Sequence, residues 1–383
     1  MENEKIRTKS TTDTISQQLT NQSQHETEFD ESKLDIKVEQ IRTRIFGNYS
    51  YPCLTFKNST SYMILAMQGL EVIEDGRKVY SVRFDRVPFL DDFHDRNPGL
   101  GRVRDVVYID HLNCYIFSYG GYLMRKDIDE KPAYLFSSLS FDSTPEDVFR
   151  YSKLNKRLLV LRNSQIEVFN LERKQVELRI PRREGRSKKE FMFSEGNSII
   201  DFRLFGVNER KVAYLSKDAI LSLCSLSFDL RKISVEVRHR VQLLRERSEI
   251  GASLAVCGKS KHIIVVLRSL SGSYSTSRMI IVQIKDRSMV KIAELDLEGQ
   301  DKLIELATRF WKRIGKHMFW VGISLDKDLA HVYHFNVESG EFRELVEKRT
   351  SHKEHLPFRL HCLGNRLYYT GRFGTIMALK LNH

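Results

Sequence analysis

Residues 147–181 contain four short apolar runs, Asp147-Val-Phe-Arg-Tyr151, Arg157-Leu-Leu-Val-Leu161, Gln165-Ile-Glu-Val-Phe169 and Gln175-Val-Glu-Leu-Arg-Ile180, separated by polar turns. Runs of four to six residues rich in β-branched and aromatic side chains, bounded by Asn, Ser, Lys and Glu, read as strands. Turns this short join antiparallel neighbours, so the stretch predicts a four-stranded antiparallel sheet. The arrangement returns at 306–346, with Thr308 to Lys312, His317 to Ile323, Ala330 to Val337 and Glu341 to Leu345. Both third strands end alike, in Val168-Phe-Asn-Leu-Glu172 and His334-Phe-Asn-Val-Glu338.

Working outward, the same unit places third strands near Glu71, Met124, Val168, Leu223, Val282, Tyr333 and Met377, with gaps of 53, 44, 55, 59, 51 and 44 residues. A four-stranded unit recurring every ~40–50 residues is the signature of a β-propeller, because one such sheet cannot bury both faces until neighbours stack on it. The reading is therefore an all-β, seven-bladed β-propeller with four-stranded antiparallel blades, formed by residues 33–383 as a single domain. The last unit, Phe358 to Leu381, supplies only three strands, whereas Leu34-Asp-Ile-Lys-Val38 is a strand without a sheet. Closure of the ring by that N-terminal strand removes two open edges. A single β-sandwich of this length would exceed the usual core size, and two sandwiches would need a linker that the sequence lacks. One stretch departs from strand texture. Leu303, Leu306, Ala307, Phe310 and Ile314 stand at helical spacing and predict a short helix before or within the sixth unit.

The composition fits a folded chain: 41% hydrophobic residues is too many for a disordered one. The longest apolar run, Tyr62 to Met67, is far shorter than the ~20 residues of a membrane helix. The N-terminus has no apolar secretory stretch and carries Glu2 and Glu4, which argues against a transit peptide. An intracellular protein is expected, cytoplasmic, with the nucleus as the alternative. Residues 1–32 hold few large apolar side chains and read as a disordered polar arm with three cations against seven acids. The whole chain is +12, so residues 33–383 carry +16. Such an excess serves either solubility or an acidic partner. Cys53, Cys114, Cys224, Cys257 and Cys362 are far apart, fit neither a disulfide framework nor a zinc site, and read as thiols in a reducing compartment.

The units resemble degenerate WD repeats, since Phe169-Asn170 and Phe335-Asn336 stand where that family places Trp-Asp at the end of the third strand. No Trp-Asp or Gly-His dipeptide occurs, and the two tryptophans, Trp311 and Trp320, both lie in the sixth unit. Tyr115-Ile-Phe-Ser-Tyr-Gly120-Gly121 is similar to the strand and double glycine of a Kelch repeat, but occurs once. The resemblance implies a propeller used as a binding platform and transfers no catalytic residue.

Motifs for chemistry are weak. Gly251 to Ser260 has six residues between its glycines, where a phosphate loop needs four, and a strand rather than a helix follows; Gly258-Lys259-Ser260 reads as a hairpin turn. His352, His355, His361 and Cys362 match no closed zinc set, and His331 and His334, three apart on a strand, point to opposite faces. Asp91, Asp92, His94 and Asp95 lack the alternating oxygen ligands and central glycine of a calcium loop. No nucleophile elbow or dinucleotide fingerprint is present, so no enzyme, metal or cofactor is expected.

The loops say more. Links from a fourth strand to the next first strand share one face, and three are long: Arg86 to Arg102, Pro181 to Ser198 and Glu347 to Pro357. One is acidic and apolar, with Phe89, Asp91, Asp92 and Phe93; another is basic, with Arg182, Arg183, Arg186, Lys188 and Lys189. Exposed phenylalanines suit a protein partner. The expectation is a non-catalytic protein-interaction scaffold working with other proteins in a complex, without membrane insertion or evidence of a homo-oligomer. The alternative is a basic propeller that contacts RNA or DNA phosphates through the 182–189 loop.

Overall fold

The computed structural model describes residues 35–42, 53–66, 69–83, 103–119, 122–128, 130, 133–137, 148–162, 164–180, 198–206, 208–228, 233–245, 249–257, 261–269, 277–285, 288–297, 304–314, 316–324, 329–349, 360–363, 366–370 and 376–382. They form 28 strands in seven sheets of four, and the only helical element among them is the single 3-10 turn Asp110–Leu112.

The chain opens on β1 (Asp35–Arg42). The first sheet follows with β2 (Cys53–Phe56), β3 (Tyr62–Ala66), β4 (Gly69–Glu74) and β5 (Arg77–Arg83). The second holds β6 (Val103–Ile109), β7 (Cys114–Tyr119), β8 (Tyr122–Asp127) and β9 (Ala133–Ser137). The third holds β10 (Val148–Ser152), β11 (Arg157–Arg162), β12 (Gln165–Asn170) and β13 (Gln175–Ile180). The fourth holds β14 (Ile199–Phe205), β15 (Lys211–Ser216), β16 (Ile220–Phe228) and β17 (Ile233–Gln242). The fifth holds β18 (Glu249–Cys257), β19 (His262–Ser269), β20 (Ser277–Ile284) and β21 (Met289–Leu297). The sixth holds β22 (Ile304–Ile314), β23 (His317–Ser324), β24 (Leu329–Asn336) and β25 (Phe342–Arg349). The seventh joins β26 (Leu360–Leu363), β27 (Arg366–Thr370) and β28 (Ile376–Asn382) to β1, in the order β1-β28-β27-β26. There β1 runs antiparallel to β28, with Asp35 opposite Asn382 and Gln40 opposite Met377. Each expected third-strand residue, from Glu71 to Met377, lies on the third strand of its sheet, counted in the seventh from β26.

The continuous apolar runs have a simple cause: both faces of each sheet are covered. On β11, Leu158 and Val160 pack with Ile109, Ile116 and Leu123 of the second sheet, whereas Leu159 and Leu161 pack with Phe202, Val212 and Cys224 of the fourth. Similar clusters lie between the first and second, fourth and fifth, and fifth and sixth sheets. Another joins the two ends of the chain, where Phe56 and Ile64 meet Tyr368, Ile376 and Ala378, with the Phe56 and Tyr368 rings 4.2 Å apart. The first strands also touch in succession: β2 meets β6, then β10, β14, β18, β22 and β26 follow, and β26 meets β2.

The helix expected in the sixth unit is a strand. On β22, Leu306 pairs with Gly322 and Trp311 with Trp320, so five steps on one strand face two on its neighbour. The bulge breaks the two-residue alternation and gives the apolar residues a spacing that mimics a helix. The link expected to start at Glu347 starts after Arg349, where β25 ends.

A bulge also marks every outermost strand. In the first six sheets Val79, Leu135, Glu177, Arg238, Ile292 and Leu345 are skipped in pairing with the third strand, and Ile41 is skipped between β1 and β28. A bulged edge is twisted and cannot pair flush with another chain. The bulge also re-aims side chains: Glu177 accepts from Arg157 Nε at 2.6 Å and from Asn170 Nδ2 at 2.8 Å.

The Phe-Asn pairs have matching roles. Phe169 and Phe335 are buried, while Asn170 Oδ1 accepts from the backbone N–H groups of Glu172 and Arg173, and Asn336 Oδ1 from those of Glu338 and Ser339. Each asparagine thus ties the turn into the fourth strand. Cys53, Cys114 and Cys224 are buried without disulfides, and burial pushes the Cys114 thiol up to about 12.

Candidate interaction surface

In an antiparallel four-stranded sheet, the link from the fourth strand to the next sheet leaves at the same end as the turn between the second and third strands. Backbone bonds tie these elements together. The N–H of Ile199, at the start of the fourth sheet, donates to Ser164 O in a second-to-third turn at 3.4 Å; Lys217 N donates to Ser198 O at 2.8 Å, and Gly251 N to Lys217 O at 2.9 Å. Gly251 is needed there because a Cβ would lie 2.4 Å from the Ser216 carbonyl oxygen. The link 181–198 therefore enters the fourth sheet at a fixed end, Ile199, and the link 84–102 runs from Arg83 to Val103 at the corresponding end of its sheets. Phe89, Asp91, Asp92, Phe93, Arg182, Arg183, Arg186, Lys188 and Lys189 all lie on these links, outside the described residues. His94 and Asp95 on the first of these links, His352 and His355 after β25, and Gly258-Lys259-Ser260, whose flanking strands pair Cys257 with His262 as a hairpin requires, are likewise outside the described residues.

The first strands carry a second device. One edge of such a strand has no neighbour in its own sheet, so its N–H groups need other acceptors. Asp105 Oδ1 accepts from the N–H of Val106 at 2.9 Å while Oδ2 accepts from that of Phe149 in the next sheet at 2.8 Å. Asp201 repeats this, with Phe202 N at 2.8 Å and Leu254 N of the fifth sheet at 2.9 Å. Both aspartates sit at bulges, between Val103 and Val106 and between Ile199 and Asp201. Arg203 Nη1 donates to Asp201 Oδ1 at 2.6 Å, and Arg150 lies 3.9 Å from both Asp105 and Asp201. These charges, Asp201 and Arg203 buried and Asp105 and Arg150 partly buried, clasp sheets two to five.

On the same end as the long links, Arg278 and Glu249 form a buried fork, Nε to Oε1 at 2.8 Å and Nη2 to Oε2 at 2.7 Å. Arg278 Nη2 also donates to Leu243 O at 2.9 Å, and Glu249 Oε2 accepts from Arg245 N at 2.6 Å. The link between the fourth and fifth sheets is thereby pinned. Glu294 accepts from Lys291 at 3.0 Å, from Arg278 at 2.9 Å and from Arg245, and these bonds hold its carboxyl at about 2. Sequence reasoning missed this set, because Arg245 and Arg278 stand 49 and 16 residues from Glu294 and reach it only once the strands have paired. For Asp201, the signal was a carboxylate inside the apolar run Ile199-Ile200-Asp201-Phe202. Among the described residues no group of His, Cys, Asp and Glu is arranged to hold a metal, and no helix is long and apolar enough to cross a membrane.

No protein-family model matches the sequence, and no curated protein matches it. Solved structures do. The β-propeller domain of Nup133 from Vanderwaltozyma polyspora aligns with a TM-score of 0.62 at 7% identity, covering 91% of this chain and 98% of that one. Virginiamycin B lyase from Staphylococcus aureus aligns at 0.57 and 10% identity, over 91% and 100% of the two chains. The β-propeller domain of Cps50 (Swd1) from Myceliophteria thermophila aligns at 0.54 and 11% identity, over 91% and 99%. The chain thus has a β-propeller fold. Identities this low carry the fold alone, and the set includes a lyase, so catalysis is not decided by the fold.

Proposed function

We propose that the chain is a closed seven-bladed propeller acting as a non-catalytic scaffold that gathers other proteins inside the cell. The ring reading is supported by the unbroken succession of touching first strands and by β1 completing the seventh sheet. In this reading residues 1–32 form a polar arm ahead of the propeller. The scaffold reading is carried by one observation: the links 84–102 and 181–198 leave the same end of their sheets, and the second enters a strand tied to the neighbouring turn at Ile199. In this reading Phe89, Asp91, Asp92 and Phe93 on one link and Arg182, Arg183, Arg186, Lys188 and Lys189 on the other belong to a single binding surface. The buried charges of the first strands are occupied in clasping sheets, which leaves them poorly placed for substrate.

A nucleic-acid reading is favoured by the +16 charge of residues 33–383 together with the basic link. Both readings are tested by affinity capture of the tagged full-length protein from its own lysate, with and without nuclease. A scaffold keeps its partners after nuclease and loses them in a Phe89→Ser/Phe93→Ser variant. Loss of all partners on nuclease treatment, or binding that falls log-linearly between ~50 and ~200 mM salt, overturns the scaffold reading in favour of phosphate contact.

A further inference from the structure

The opposite end of the sheets carries the turns between first and second strands and between third and fourth. At this end the turn after β10 is held on both sides. Ser152 Oγ and the Leu154 N–H both donate to Glu209 Oε2 of the fourth sheet, at 2.9 and 3.2 Å, and Asn155 Nδ2 donates to the Asn208 carbonyl at 3.0 Å. Toward the second sheet, Tyr151 OH donates to Asp110 Oδ1 at 3.0 Å and Lys153 Nζ lies 3.2 Å from Asp110 Oδ2. The backbone is thus fixed, yet Leu154 at its tip is 64% exposed, more than the other exposed large apolar residues, Val79 and Val290.

The same end carries Lys156 on the same turn, Arg173 and Lys174 on the turn after β12, and Arg210 and Lys211 beside Glu209, all exposed and none in an ion pair among the described residues. The carboxylates of Asp110 and Glu209 are used by the turn itself, which leaves Glu172 as the exposed acid. Lys156 and Lys174 hold φ of 50° and 52°, in the left-handed region that this chain also gives to Asp75, Asn113, Ser164, Glu209 and Ala219. A lysine there costs stability that glycine would not.

We propose that this end of the third and fourth sheets docks an acidic protein segment bearing an apolar residue, which packs on Leu154 while its carboxylates face Lys156, Arg173, Lys174, Arg210 and Lys211. A nucleic acid would use the cations and leave Leu154 idle. The proposal concerns the end opposite the long links and stands apart from the scaffold surface described above.

The test is fluorescence anisotropy of the full chain with a short labelled synthetic peptide of glutamate and leucine. The expected result is binding that weakens about tenfold when the peptide's leucines become serine, and about tenfold again for Leu154→Ser, the loss of one well-buried apolar contact. The Lys156→Gly/Lys174→Gly variant is expected to bind about tenfold more weakly while melting no lower than the parent, since it removes charge and left-handed strain together. Absence of binding, equal binding of the serine peptide, indifference to these substitutions, or displacement by a single-stranded oligonucleotide at lower concentration than unlabelled peptide would each overturn the proposal.

Discussion

Glu294 shows how one side chain reports the packing of two sheets. Lys291 shares its strand, Arg278 reaches it from β20 and Arg245 from the link after β17, so three cations stabilise its charge against a partial cost of burial. Its carboxyl is held at about 2, below the ordinary 4.5. A depressed carboxyl contributes stability that is fully present above pH 4.5 and is lost as pH falls toward about 2. Glu294→Gln is therefore expected to lower the urea midpoint at neutral pH, with the gap from the parent closing between these two values. A gap independent of pH would show that the charge is not what the site uses. His317 changes in the same sense: burial first, then Lys316, lowers its pKa, and its Nδ1 lies 2.8 Å from His334 Nε2, a contact that double protonation would break. At this scale the sequence was partly legible. Asn170 and Asn336 stood out because both caps follow a buried phenylalanine, whereas Glu249 and Arg278 did not, since nothing in their spacing foretells that β18 and β20 bring them together.

At the scale of the element, strand positions followed from local pattern and bulges did not. A run such as Leu158 to Leu161 is apolar throughout because alternate residues serve two interfaces, and that texture survives without knowing what lies on either side. The bulge on β22 mimics a helical turn in the sequence, because residues inserted opposite Gly322 and Trp320 shift the apolar positions out of strand alternation. Close approach between sheets is likewise invisible in sequence. Gly251→Ala would place a methyl 2.4 Å from the Ser216 carbonyl and 2.8 Å from Ile200 Cδ1. The expected loss is about 1–3 kcal/mol, read as a lower denaturant midpoint at unchanged slope. A variant as stable as the parent would mean that the fourth and fifth sheets do not approach as described.

At the scale of the molecule, the seventh sheet depends on both ends of the chain. Removing residues 33–42 would strip β1 from β28 and uncover the edge that Ile376 and Met377 now share with Arg42 and Gln40. Thermal melting of that truncation is expected well below the parent, with aggregation from the exposed edge, whereas removal of residues 1–30 should leave the melt unchanged. Equal tolerance of both truncations would count against closure by β1. The sequence by itself determined the strand texture, the recurrence of third strands from Glu71 to Met377, and the need for an N-terminal strand to complete a three-stranded last unit, because each of these is a local pattern of apolar residues and turns. Only the tertiary structure decided the inter-sheet clasps of Asp105 and Asp201, the Arg278–Glu249 fork, the bulge on each outer strand and the fixed turn that exposes Leu154. Those contacts join residues tens of positions apart, and the energy that selects them comes from neutralising charges and satisfying backbone N–H groups that become buried only when the sheets come together.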